Sequence, residues 1–81
     1  MNEELKIYLK SKTKENSYGG YNFAMEDIHF SVIEMPLGIS LQYYYIGERT
    51  VIDLTEILLD RNVSLQKFCG KVVEIVESIK K

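Results

Sequence analysis

The second half of the chain carries the clearest alternation of apolar and polar positions. From Leu65 onward, apolar residues recur at the spacing of one helix face, and polar residues fill the opposite side. Ser64 is a favourable N-cap residue directly before this pattern. The pattern predicts a helix over residues 64–80. Its predicted apolar face consists of Leu65, Phe68, Cys69, Val72, Val73, Ile75, Val76 and Ile79.

A shorter helix is predicted directly before it. Asp53 and Glu56 have the spacing of a capping box, with an aspartate in the place of the usual serine or threonine. Asn62 tolerates the left-handed conformation in which many helices end. These signals predict a helix over residues 53–62.

Upstream of residue 53 the apolar positions follow a period of two, which is typical of strands. Leu5, Ile7 and Leu9 alternate with polar residues and predict a first strand. The segment Tyr21–Met25 also alternates, and is either a separate strand or the beginning of the next one. The polar run at residues 11–20 is predicted to be a flexible loop.

Two hairpins are expected between residues 28 and 52. The residues from Met35 to Gly38 fit a turn with a three-residue loop, which places Met35 opposite Ile39. A second turn at Gly47 returns the chain and places Tyr44 opposite Val51.

These elements predict a single α+β domain over residues 1–81. An antiparallel meander sheet of about four strands, within residues 4–52, has two C-terminal helices packed on one face. Two helices cover only one face, yet the predicted register places apolar side chains on both. The residues expected on the uncovered face are Ile28, Phe30, Val32, Tyr44, Ile46 and Val51. Because large apolar patches on soluble proteins usually mark interfaces, this face is predicted to mediate self-association. Two alternatives are coverage of Tyr44 by sheet twist and its neighbouring strand, and folding of the 11–20 loop over the patch.

Composition narrows the functional classes. The net charge is −2, so acidic and basic residues are nearly balanced. This balance favours neither a strongly basic nucleic-acid binder nor an acidic protein that mimics DNA. Cys69 is the only cysteine, which excludes an internal disulfide and a cysteine-rich zinc site. The chain lacks a secretory signal pattern and an apolar run long enough to cross a bilayer, so a cytoplasmic location without a membrane partner is expected.

An anion-binding site is the main chemical alternative. If the first strand continues far enough, Lys6, Tyr8, Lys10, Lys12 and Lys14 project from one side and form a line that a phosphate backbone could follow. The loop through Tyr18, Gly19, Gly20 and Tyr21 could hold an anion and stack on a base. Lysines that protect an exposed sheet edge, and an ordinary glycine turn, explain the same residues.

The residues that could carry catalysis are few. His29 is the only histidine and is expected to be a partly buried structural residue opposite Tyr45. Cys69 lies on the apolar helix face, where a thiol behaves as a small hydrophobic group. No enzyme activity, metal or cofactor is therefore expected.

The function predicted first is a non-catalytic protein-binding module. It is expected to act as a small homo-oligomer, such as a homodimer, that regulates or inhibits a larger protein. The alternative is a protein that binds a nucleotide or single-stranded nucleic acid through the lysine row and the tyrosine-glycine loop. A third hypothesis is an accessory subunit of an enzyme, with no activity of its own.

Overall fold

A computed structural model of the chain describes residues 1–15 and 20–80. In the described residues the order is α1 (Glu3–Lys12), β1 (Lys14–Glu15), β2 (Tyr21–Met25), β3 (Ile28–Met35), β4 (Gly38–Ile46), β5 (Val51–Leu59) and α2 (Leu65–Ile79). These five strands form one antiparallel meander, each paired with its neighbour in sequence. The predicted α+β class is confirmed, and β2 to β5 are the four longer strands. The prediction of two C-terminal helices is wrong, because one helix precedes the sheet.

The first helix replaces the predicted first strand. The Asn2 side chain accepts a hydrogen bond from the backbone N–H of Glu4 at 2.9 Å and so caps the helix. Leu5 and Leu9 lie four residues apart, on one helix face, and both are fully buried. Ile7 would share their face in a strand but is 61% exposed in the helix. Residues four apart share a face in a helix as well as in a strand, so the alternation of Leu5, Ile7 and Leu9 does not distinguish the two structures.

The predicted helix over residues 53–62 is also wrong, because most of this segment forms β5. It contains the β-branched residues Thr55 and Ile57, which favour strands. It pairs with β4 over almost its whole length, including Leu41 with Ile57 and Gln42 with Glu56, and this pairing supplies the backbone hydrogen bonds on one side of the strand. The capping box of Asp53 and Glu56 stabilises a helix less than the pairing with β4 stabilises the strand.

The prediction for α2 is confirmed. The Ser64 hydroxyl accepts a hydrogen bond from the backbone N–H of Lys67 at 3.2 Å. Phe68, Val72, Ile75 and Val76 are buried on its apolar face. Both the cap and the apolar face are local features, so the sequence alone locates this helix well.

The hairpin between β3 and β4 exists, but its predicted register is wrong by one residue. The loop contains two residues, and Met35 pairs with Gly38 rather than with Ile39. Gly38 is required here because a Cβ atom at this position would lie 2.4 Å from the carbonyl oxygen of Leu59. A shift of one residue moves every β3 side chain to a new set of partners.

The segment Tyr21–Met25 is a strand of its own, β2. A two-residue turn at Glu26 and Asp27 connects it to β3, and both residues have positive φ, at 50° and 69°. Two consecutive positive φ angles are typical of the tight turns that match the twist of a hairpin.

Both helices of the described part pack on the same face of the sheet. Leu5 and Leu9 of α1 share one buried cluster with Phe30 and Leu41 of the sheet and with Phe68 of α2. The Phe30 ring stacks on the ring of Phe23, with centroids 5.0 Å apart. The other face of the sheet is covered by neither α1 nor α2.

Candidate interaction surface

The open face is the side of the sheet that points away from α1 and α2. Because paired residues in an antiparallel sheet project to the same side, the register identifies its members. They are Asn22, Ala24, His29, Ser31, Ile33, Met35, Ser40, Gln42, Tyr44, Ile46, Val51, Leu54, Glu56 and Leu58.

A polar row crosses the middle of the open face. Ser31 donates a hydrogen bond to Asn22 Oδ1 at 2.9 Å on β2 and β3. On β4 and β5, Gln42 donates to Glu56 Oε2 at 3.2 Å, and Ser40 donates to the same oxygen at 2.6 Å. These donated hydrogen bonds favour the ionised carboxylate and lower the pKa of Glu56. The row therefore consists of two hydrogen-bonded groups, one on β2 and β3 and the other on β4 and β5.

An apolar cluster lies on one side of this row, near the β4–β5 turn. We define the Tyr44 cluster as Tyr44, Ile46, Val51 and Leu54, which are 39%, 71%, 62% and 67% exposed, respectively. The ring of His29 stacks on Tyr44, with centroids 4.7 Å apart and an interplanar angle of 9°. The cluster therefore combines a fixed aromatic pair with exposed aliphatic groups.

A β-bulge in β5 shapes this cluster. Tyr43 pairs with Thr55 and Tyr45 pairs with Ile52, so two β5 residues, Asp53 and Leu54, stand opposite Tyr44 alone. Both of these residues are exposed, whereas Ile52 and Thr55 are half-buried. The bulge thus directs Leu54 toward the open side. Tyr43 and Tyr45 point toward the helices, and Tyr44 is the one of the three that does not.

A second exposed apolar group lies on the other side of the polar row. Met35 and Leu58 project from the open face there, and Leu37 extends from the adjacent β3–β4 turn. Leu58 pairs with Ser40, so it borders the polar row directly. The open face is therefore apolar at both ends and polar in the middle.

The predicted interface residues divide into two groups. Tyr44, Ile46 and Val51 do lie on an uncovered sheet face. Ile28, Phe30 and Val32 do not, because they are buried beneath the helices with exposures of 0%, 1% and 0%. The wrong hairpin register placed these three on the same face as Tyr44, and the correct pairing of Ile28 is with Tyr45.

Sequence reasoning missed Leu54, Leu58 and the polar row. Leu54, Glu56 and Leu58 alternate along β5, and this alternation was available in the sequence. The capping-box spacing of Asp53 and Glu56 favours a helix in the same segment and so masks this alternation.

The predicted lysine line does not form. Lys6, Tyr8, Lys10 and Lys12 belong to α1, where steps of two residues rotate by about 200° and so alternate between sides of the helix. Lys14 lies in β1. Tyr21 is buried at 6% exposure, and the prediction for Tyr18 and Gly19 falls outside the described residues.

The remaining candidate groups are separated from one another. His29 is exposed and pairs with Tyr44, so the expected partly buried position opposite Tyr45 is wrong. Cys69 is half-buried in the helical layer. Among the residues that the structure describes, no group of three histidine, cysteine, aspartate or glutamate side chains could hold a metal ion. No helix in the described ranges is long and apolar enough to cross a membrane.

Comparisons with protein-family models, with curated proteins and with solved structures find no match to this chain.

Proposed function

We propose that this protein is a non-catalytic protein-binding module that self-associates through the open face and acts as a regulator or inhibitor of a larger protein. The observation that supports this proposal is the Tyr44 cluster, whose aliphatic members are more than half exposed. Soluble monomers seldom leave contiguous apolar patches of more than a few hundred Å² in water. Two sheets that pack face to face bury such groups in a layer about 10 Å thick.

The dimensions of the sheet set the strength expected of this contact. The strands β3, β4 and β5 contain eight, nine and nine residues. At about 3.3 Å per residue and about 4.8 Å per strand, they present a face of roughly 30 by 14 Å, or about 400 Å² in projection. Stable interfaces bury about 800 Å² per partner. The expected association is therefore weak and reversible.

The composition of the open face also suits an interface. Tyrosine contributes contact area while its hydroxyl tolerates partial hydration. The carboxylate of Glu56 already has hydrogen-bond donors within its own chain, so enclosing it costs less than enclosing an unpaired charge. Its position between two apolar groups would fix the alignment of the two sheets.

The described residues do not have the geometry on which the alternative, binding of a nucleotide or single-stranded nucleic acid, was based. It required a row of lysines on one side of a strand, and α1 separates Lys6 and Lys10 from Lys12. It also required an accessible Tyr21, which is buried.

Sedimentation velocity over a range of protein concentrations tests self-association. The sedimentation coefficient of the wild type should rise with concentration, whereas Leu54→Glu and Tyr44→Glu should remain monomeric. Ile7→Glu is the matched control, because Ile7 is as exposed as Leu54 but lies on α1. A wild type that remains monomeric at every concentration, or an Ile7→Glu variant that dissociates equally, would contradict the proposal.

A further inference from the structure

A groove lies in the helical layer, on the opposite side of the sheet from the open face. Its walls are the second half of α1, the β2 strand and the first half of α2, and its volume is about 370 Å³. Leu9, Phe23, Phe68 and Val72 are among the residues that line it. Small-molecule sites in proteins have volumes of about 300–1,000 Å³ and predominantly apolar walls, so this groove has the size and lining of such a site.

The groove is open along the edge of the sheet. β1 pairs only with Tyr21 and Asn22, so no strand in the described part of the chain covers the outer side of β2 from Phe23 to Met25. Ala24 is one of the residues that line the groove. In the described part of the chain, a ligand therefore has access without displacement of a paired strand.

The charge of the groove is positive. Of the lining residues that the structure describes, Lys12 is the one with a charged side chain, and none is acidic. Lys12 forms no ion pair with another described residue. An anionic group at this rim would be attracted by the ammonium group of Lys12.

The polar groups deeper in the groove are already paired. The Tyr8 hydroxyl is within hydrogen-bonding reach of the Cys69 thiol, and burial together with this thiol raises the pKa of Tyr8. The Thr13 hydroxyl donates to the backbone carbonyl of Leu9. The interior of the groove thus offers mainly apolar contact, and the Lys12 rim offers charge.

We propose that this groove binds an amphipathic carboxylate. The apolar part of the ligand packs between Phe23, Phe68 and Val72, and its carboxylate lies at Lys12. The apolar interior, which has no acidic group among the described residues, is complementary to the apolar part of the ligand. The cationic rim is complementary to its carboxylate. The site is independent of the proposed self-association, because it lies in the helical layer.

Hexanoate, octanoate and decanoate, each below its micellar concentration, are suitable probes. Calorimetric titration should show saturable binding that tightens about fourfold for each added methylene group while the groove has room, since burying one contributes about 0.8 kcal/mol. Decyltrimethylammonium, which has the same apolar part and the opposite charge, should bind at least tenfold more weakly than decanoate. Equal affinity for the two amphiphiles, or no saturable binding of decanoate, would overturn the proposal.

The sole cysteine reports the location of the bound ligand. Decanoate should slow the alkylation of Cys69 by iodoacetamide, measured by mass spectrometry, because Cys69 lines the groove. Lys12→Glu should weaken decanoate binding at least tenfold, and Val73→Trp, a change at an exposed lining position, should obstruct the groove. Arg49→Glu is the charge control, because Arg49 is exposed in the β4–β5 turn, away from β2.

Circular dichroism should first confirm that each variant is folded. Decanoate that leaves Cys69 alkylation unchanged, or that binds Lys12→Glu and Arg49→Glu equally, would assign the binding to another surface and overturn the proposal.

Discussion

Two glycine-to-alanine substitutions should have opposite effects on stability. Gly38 is at the start of β4, where an added Cβ would lie 2.4 Å from the carbonyl oxygen of Leu59 in β5. Gly70 is exposed on α2, and no atom of the described residues outside its own helical neighbourhood lies within 4 Å of the corresponding position. The chemical change is the same at both sites, so the difference between them reflects the structural environment of each glycine.

The expected magnitudes follow from these distances. Ordinary contact begins near 3.4 Å, so Gly38→Ala requires the backbone of β4 or β5 to move by about 1 Å. Overpacking of this kind costs roughly 1–3 kcal/mol, and the reduced entropy of the unfolded chain offsets about 0.4–1 kcal/mol of it. We expect Gly38→Ala to lower the free energy of unfolding by about 1–2 kcal/mol. Gly70→Ala should raise it by about 1 kcal/mol, which is the difference in helix propensity.

Urea denaturation and thermal melting measure both effects. For a domain of this size, 1 kcal/mol corresponds to about 4–8 °C in melting temperature, so both changes are readily detected. The comparison also tests the assignment of β5, because Leu59 approaches Gly38 only if residues 51–59 form a strand beside β4. If Gly38→Ala were as stabilising as Gly70→Ala, the β4–β5 pairing would be refuted.

Five further substitutions test the core, the polar row and the helix caps. Phe30→Ala should lower the free energy of unfolding by about 3–5 kcal/mol in urea denaturation, whereas Ile46→Ala should change it by less than about 0.5 kcal/mol; equal effects would contradict the assignment of faces. The stability contributed by Glu56 is complete above the ordinary pKa of an unfolded glutamate and is lost as pH falls through its lowered folded pKa. Glu56→Gln should therefore weaken the acid dependence of stability, and an unchanged pH profile would count against the polar row. Asn2→Ala and Ser64→Ala should each cost about 0.5–2 kcal/mol, and a neutral Asn2→Ala would argue against α1.

The elements that sequence reasoning located correctly are those specified by neighbouring residues. The N-cap Ser64 and the apolar face that contains Phe68 and Val72 lie within one helix, and they predicted α2 with nearly correct boundaries. The hairpin around Pro36 was likewise located by its own turn residues. Its register was not, because loops of two and three residues are both compatible with that turn sequence, and the pairing of Met35 with Gly38 depends on the whole strand.

The two wrong elements have patterns that are compatible with either structure. Leu5 and Leu9 suit the same face of a helix or of a strand, and in the structure they belong to a helix that Asn2 caps. Residues 51–59 contain apolar groups at both spacings, and their backbone partners in β4 decide for the strand. Tyr44, Ile46 and Val51 lie on the uncovered face as predicted, whereas the one-residue error in the β3–β4 register had placed Ile28, Phe30 and Val32 beside them.

The sequence by itself determined the α+β class, the C-terminal helix, the presence of the central hairpin and the excess of apolar residues over what two helices can cover. The tertiary structure alone decided which apolar residues remain exposed. The physical reason is that strand faces alternate at every residue, so a register difference of one residue exchanges buried and exposed positions. Phe30 and Tyr44 both have large aromatic rings, and the pairing of β3 with β4 and of β4 with β5 places Phe30 beneath the helices and Tyr44 on the open face.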